Sequence, residues 1–353
     1  MGKRAKDGAL LEEIVSLAVP VCQQAEQSCP RGGPGRRPEI PDWVLAVMIM
    51  ICVSLRKKTK AAQFTWWTQH AADFARWLPG QRLPSRSTFY DRYRRTHRLF
   101  RQAIRLQGEQ AVARGWIDAT LVAVDKSLLE GQGEPWSPRD RRWGHVRRGV
   151  DPDTTWGYST HHGWVQGYSF EVVVTATGSV PWPLIASVDT ASCSEQKSFR
   201  EKIADLPETT KYVAADSGYD SNAVAEAVEW QDGCRTGRRF LCPEVPRPNN
   251  GRPRQPHSRQ SRSRQYHRRL REERRRFLET ARGRKLYARR RSVEPFHAQL
   301  KHLFDLRERV WHRGQENNRT MVLAAICVYQ LLVTYNQLHG RPLGRLQCLL
   351  DAL

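Results

Sequence analysis

Apolar positions recur at helical spacing from Leu10 to Gln23, and the segment CPRGGPGRRP (29–38) then breaks the period with a Pro/Gly/Arg linker. A nearly unbroken apolar run from Trp43 to Leu55 follows Pro41 and predicts a buried helix with proline at its first turn. A third helix is predicted over Lys60–Trp77, with Phe64, Trp66 and Trp67 in the core. Ser85 or Ser87 can cap a short helix whose exposed face offers Tyr90, Arg92, Arg94 and Arg95. With a helix and turn before it, the region near 75–97 predicts a helix-turn-helix whose basic member enters a DNA groove, although such helix pairs also occur in proteins that never touch DNA.

At about residue 117 the period shortens from that of a helix to that of a strand. Ala119 to Asp125 (ATLVAVD) is a β-branched apolar run ending in an acid, which predicts a buried strand. The polar, Gly/Trp/Arg-rich segment between Leu129 and Gly163 reads as a long loop or a loop holding a hairpin. Strands are predicted at Tyr168–Thr177 and Trp182–Val188 around a Gly178-Ser179 turn, a capped helix from Ser194 to Leu206, and a strand from Tyr212 that ends in Asp216. A helix over Asp220–Trp230 and a short strand over Arg238–Cys242 complete the series. Three strands, then helix, strand, helix, strand is the order of an α/β, ribonuclease H-like mixed sheet with flanking helices, here preceded by an all-helical N-terminal domain. The division expected is 1–115 for the helical part, 116–340 for the ribonuclease H-like part with an Arg-rich insertion at 247–286, and a tail at 341–353.

Charge changes this picture from a fold to a partner. The chain of 353 residues carries 58 Lys and Arg against 36 Asp and Glu, a net +22, which implies a polyanionic partner, nucleic acid first. Most of the excess is local: residues 247–291 hold 18 basic residues and three glutamates, a net +15, as expected for phosphate neutralisation and steep salt dependence. Glu12 and Glu13 interrupt what would have to be the apolar part of a signal peptide, so a cytoplasmic, nucleoid-associated protein is expected, with no membrane or small-molecule partner. The apolar runs Val44–Leu55 and Met321–Val333 are shorter than a membrane span and predict core helices. Eight cysteines without a CxxC pair indicate neither a zinc ribbon nor a disulfide framework.

The chemistry concentrates at Tyr287–Lys301, YARRRSVEPFHAQLK. Tyr287, Arg290, Glu294 and Lys301 stand at offsets of 0, 3, 7 and 14, which on one continuous helix would place them within a sector of about 60°. Taken alone this pattern fits a solvated face with an Arg290–Glu294 ion pair. Pro295 poses a further question, since the helix must kink there or begin there. Asp125 and Asp216, each closing an apolar strand, give Glu294 its partners, because ligand sites in open α/β sheets lie beyond such strand ends. Three convergent carboxylates need a cation between them, and hard oxygen ligands with open positions select Mg²⁺ or Mn²⁺. Two such ions suit in-line displacement at phosphorus.

Tyr287, Arg290, Glu294 and Lys301 satisfy the spacing Y-x2-R-x3-E-x6-K, AVDKS (123–127) matches a first-aspartate strand, and AADSGYDS (214–221) a second. On these motifs, over roughly residues 117–338, the chain resembles the DDE transposases of bacterial insertion sequences. The resemblance implies that Asp125, Asp216 and Glu294 are the catalytic metal ligands. It further implies that Arg290 and Lys301 hold phosphates of double-stranded transposon-end DNA, with Tyr287 against the backbone or a displaced base, flanked by Arg289 and Arg291. Cleavage of inverted-repeat ends, strand transfer into target DNA and a homodimer in the synaptic complex are implied as well, with 1–115 as the end-binding and dimerisation domain and 116–340 as the catalytic domain. Readings left open are a structure-specific nuclease or resolvase, and a decayed DNA-binding protein. Some relatives flip a base onto a tryptophan, and Trp136, Trp143, Trp156 and Trp164 are the residues available for that role. Where some members carry a large β-rich insertion, the 77 residues between Asp216 and Glu294 hold a strand and an arginine-rich segment.

Overall fold

The computed structural model describes residues 2–29, 38–78, 82–136, 140, 149–159, 163–231, 234–245 and 262–353. Helices α1 (Gly2–Ser28), α2 (Asp42–Ser54), α3 (Lys60–Gln69), α4 (Arg86–Tyr93) and α5 (His97–Ala113) come first. The predicted third helix stops short, at His70, and the chain continues as a 3-10 segment over Ala71–Trp77. Strands β1 (Leu121–Glu130), β2 (Thr155–Ser159), β3 (Gly163–Thr175) and β4 (Pro183–Thr190) precede α6 (Glu195–Arg200), then β5 (Tyr212–Ala215) and α7 (Asn222–Glu229). The small pair β6 (Trp230–Gln231) and β7 (Cys234–Arg235) and strand β8 (Arg239–Leu241) lead to α8 (Arg262–Glu279), α9 (Ala281–Ala288), α10 (Val293–Leu303), α11 (Gln315–Leu338) and α12 (Gln347–Leu350).

The main sheet runs β2-β3-β1-β5-β8, with β4 also on β3. Its first strands pair antiparallel, while β1 with β5 and β5 with β8 are parallel. This is a ribonuclease H-like mixed sheet preceded by helices. Side chains alternate across it: Phe170 of β3 meets His297 of α10, whereas its neighbour Glu171 meets Lys202 just after α6. The two helices therefore cover opposite faces.

Helix α11 ties the N-terminal helices to the sheet. Gln330 accepts from Gln107 and donates to the Ile104 and Pro183 carbonyls, and Thr320 donates to the Tyr93 carbonyl. The helix is long and apolar enough to cross a membrane by length and composition, yet 83% of its most apolar window is buried inside the protein. Met321 to Val333 are buried without a break, as a helix needs when the sheet and the N-terminal helices pack on it from different sides.

Helix α8 docks through charge. Arg274 and Asp220, each 6% exposed, pair at 2.7 Å, Arg271 donates to Asn222, and the Arg274 guanidinium lies 5.6 Å from the Phe240 ring centre. The first part of the arginine-rich insertion, residues 247–261, lies outside the described residues.

Candidate active site

The apolar part of β1 ends at Asp125, but the strand itself runs on to Glu130. The strand-end expectation is corrected here: the long antiparallel partner β3 carries the ladder past the point where the short parallel partner β5 stops. Val124 is level with Ala215, so Asp216, the next residue after β5, emerges beside Asp125. Asp216 caps a single 3-10 turn, Ser217–Tyr219, and its Oδ1 accepts from the Gly218 amide at 2.9 Å. Glycine at 218 leaves room for the carboxylates around it. A Cβ there would stand 2.3 Å from Glu195 Oε2 and 3.0 Å from Asp216 Oδ1.

Tyr287 to Lys301 is not one helix. Helix α9 ends at Ala288, Arg289–Ser292 form a 3-10 turn, and α10 begins at Val293. Pro295 is the third residue of α10, where its missing N–H leaves no intrahelical bond unmade. Glu294 and Lys301 therefore share α10, while Tyr287 and Arg290 reach the site from separate elements.

Arg290 is the hinge of the constellation. Its Nη2 donates to Glu294 Oε1 at 3.0 Å and its Nη1 lies 3.9 Å from Asp125 Oδ2. His297 Nδ1 lies 3.9 Å from the same Asp125 oxygen, and His297 Nε2 is buried without a hydrogen-bond partner. Burial, then the neighbouring charge of Asp216, pushes the Asp125 carboxyl up to about 7, against the partial relief of the Lys126 amide and Arg290. Burial lowers Lys301 to about 8, and its Nζ donates to the Leu128 carbonyl at 2.7 Å. Tyr287 is half-buried, its hydroxyl held protonated by burial, within electrostatic reach of Arg290 and Asp216.

Among the described residues, no three His, Cys, Asp or Glu side chains are placed closely enough to hold a metal ion as they stand. The donor chemistry nevertheless fits a divalent cation. Burial and the charge of Asp216 raise the proton affinity of Asp125, which a cation between the two would relieve, and the Glu294 carboxylate is 55% exposed and held by Arg290.

The remaining predicted residues divide clearly. Arg289 and Arg291 are exposed on the 3-10 turn, and Arg94 and Arg95 are exposed after α4. Arg92 is engaged internally, with Asp42 at 2.5 Å and the Ile40 carbonyl at 2.7 Å. Trp136 is buried, its indole N–H on Thr154, whereas Trp156 and Trp164 are 39% and 68% exposed. Trp143 lies outside the described residues. Two acids that could be mistaken for ligands are committed elsewhere: Asp189 pairs with Arg319 and Asp220 with Arg274. Sequence reasoning missed His297, although its position three residues after Glu294 puts both on one side of α10. It also missed Cys242, whose thiol donates to the Asp216 carbonyl; nothing local in the sequence signals that contact.

The mixed sheet sets Asp125 and Asp216 level on adjacent parallel strands, and Arg290 joins Glu294 of α10 to Asp125. The family described as the transposase DDE domain matches residues 114–331, more than half of the chain, and the chain belongs to that family. No curated protein and no solved structure matches it.

Proposed function

We propose that this transposase binds the inverted-repeat ends of an insertion sequence, cuts them, and joins the freed 3′-OH to target DNA. The observation that carries the reading is the level placement of Asp125 and Asp216 on neighbouring strands, with Glu294 tied to Asp125 through Arg290. Asp125, Asp216 and Glu294 would hold Mg²⁺ or Mn²⁺, two ions in the reading favoured by family, which when bound supply activation of the attacking hydroxyl and stabilisation of the leaving oxygen.

The chain's own groups do the rest. Arg290 is a ready phosphate ligand, and a DNA phosphate competing for its guanidinium frees the Glu294 carboxylate for the cation. Lys301, lowered towards neutrality, stays a hydrogen-bond donor whether or not it is charged. Arg289, Arg291, Arg94 and Arg95 are exposed to meet the duplex, whereas Arg92 serves the fold. Two DNA ends must be handled together, so the working form is a homodimer, acting on chromosomal DNA in the cytoplasm.

A cleft of ≈ 430 Å³ runs from Lys301 past Arg307 and Arg309 to Trp156 and Trp164. It offers an aromatic face beside cations, suited to a base unpaired near the cut. Trp164→Ala should weaken binding of an end with unpaired terminal bases by about 1–3 kcal/mol and leave binding of a fully paired duplex unchanged, as read by fluorescence anisotropy. Equal losses on both substrates would remove the base-stacking role.

The deciding experiment mixes purified protein, Mg²⁺, a pre-cut end and a supercoiled plasmid. Joined products are expected. Cleavage of intact ends in a parallel reaction, with no joining of the pre-cut end, would establish a nuclease instead.

A further inference from the structure

The turn that carries Asp216 is secured from the opposite face of the sheet by buried charges. Asp216 lies on the α10 side with Asp125, but three residues later Tyr219 is inserted on the α6 side, fully buried, its ring edge-on to Phe199 at 5.8 Å. Its hydroxyl donates to Glu171 Oε2 at 2.9 Å. The other Glu171 oxygen accepts from Lys202 Nζ at 2.5 Å and from Ser198 Oγ at 3.1 Å, and Lys202 also donates to the Ser198 carbonyl. Glu171 and Lys202 are each 2% exposed at their side chains. A buried ion pair is a poor source of stability compared with apolar residues of the same volume. Its place in the sheet is what distinguishes it. Glu171 sits directly opposite Lys126 in the β1–β3 ladder, one position from the Asp125–Val172 pair. Adjacent residues of β3 thus set both acids, Asp125 through the ladder and Asp216 through Tyr219.

We infer that Tyr219 is a positioning residue for the transposase reaction. Its hydroxyl, fixed by the Glu171–Lys202 pair, holds the Asp216 turn at the depth where Asp216 and Asp125 can share a cation. The inference rests on the proposed metal-binding role of Asp125 and Asp216. Outer partners of metal-ligating groups typically govern affinity or activity by about 10- to 100-fold.

The test uses full-length protein and Mn²⁺ alone as the probe, with binding followed by isothermal titration calorimetry, and end cleavage followed separately. Tyr219→Phe keeps the ring and its packing. It should raise the Mn²⁺ midpoint about tenfold and lower kcat for cleavage comparably, with KM for DNA unchanged. A second variant, Glu171→Gln combined with Lys202→Met, retains an acceptor for the Tyr219 hydroxyl while removing the buried charges. It should raise the midpoint less than Tyr219→Phe does, because an amide oxygen still accepts from the Tyr219 hydroxyl without the charge that fixes it; a larger shift than in Tyr219→Phe would assign the effect to packing and overturn the role of the hydroxyl. Wild-type midpoint and kcat in Tyr219→Phe would overturn the positioning role while leaving the metal site intact, provided Asp216→Asn abolishes Mn²⁺ binding. Mn²⁺ binding that survives Asp216→Asn would overturn the metal assignment itself, and the positioning role with it.

Discussion

Asp125→Asn and Glu294→Gln should each reduce DNA cleavage and end joining on the order of 10³-fold or more, equivalent to about 4 kcal/mol of transition-state stabilisation. Both should leave DNA binding at moderate salt near the parental level. The separation follows from where the two properties reside. In the proposed function affinity would come from basic groups neutralising phosphates, and neither substitution removes a basic group. Removing a carboxylate beside Arg290 also removes a repulsion against DNA. The amide oxygen introduced by Glu294→Gln can still accept from Arg290, as the carboxylate does at 3.0 Å, so the arginine stays placed. Cleavage assays on end-containing duplexes, run beside anisotropy titrations, check the result. Parental cutting by both variants would defeat the assignment of the site.

Asp125 also links the site to stability, with a sign that runs against function. Its carboxyl is raised from 3.8 to about 7, first by burial and then by Asp216, and its side chain is 19% exposed. The folded state then holds the proton more tightly than the unfolded state does. The favourable contribution is complete below about pH 4 and is lost as pH rises through about 7. A shift of this size corresponds to at most about 4 kcal/mol. In chelator at pH 8, Asp125→Asn should therefore melt at a higher temperature than the parent, and the difference should shrink steadily towards pH 5. Mn²⁺ should raise the melting temperature of the parent at pH 8 and leave Asp125→Asn nearly unmoved. Parallel melting curves across the pH range would show that the carboxylate is adequately compensated without a cation.

The acids are legible in the sequence because each is announced locally. Asp125 and Asp216 close short apolar runs, and Glu294 stands in a fixed spacing with Tyr287, Arg290 and Lys301. The elements around them are legible for the same reason, since a period of two or of 3.6 is a property of short stretches. Extents are what the sequence leaves open. Lys60–Trp77 reads as one helix and breaks at His70; the single face expected over Tyr287–Lys301 breaks after Ala288; and the strand of Asp125 continues to Glu130. Ends of elements are decided by pairing partners, and the partner of β1 lies some 40 residues downstream in β3.

By itself, then, the sequence determined the kind of protein this is: a basic chain with a helical start, an α/β order of strands and helices, and three acids at recognisable places. Only the tertiary structure decided how those acids are placed. It set Asp125 level with Asp216 through the Val124–Ala215 register, and it brought Arg290 from its own turn to lie between Asp125 and Glu294. It also withdrew Arg92 into a pair with Asp42, and placed Glu171 and Lys202 beneath Tyr219. The reason is physical. Propensity and period act between neighbours in the chain, whereas the charge on a side chain is satisfied by whichever group the fold places within about 3–4 Å of it.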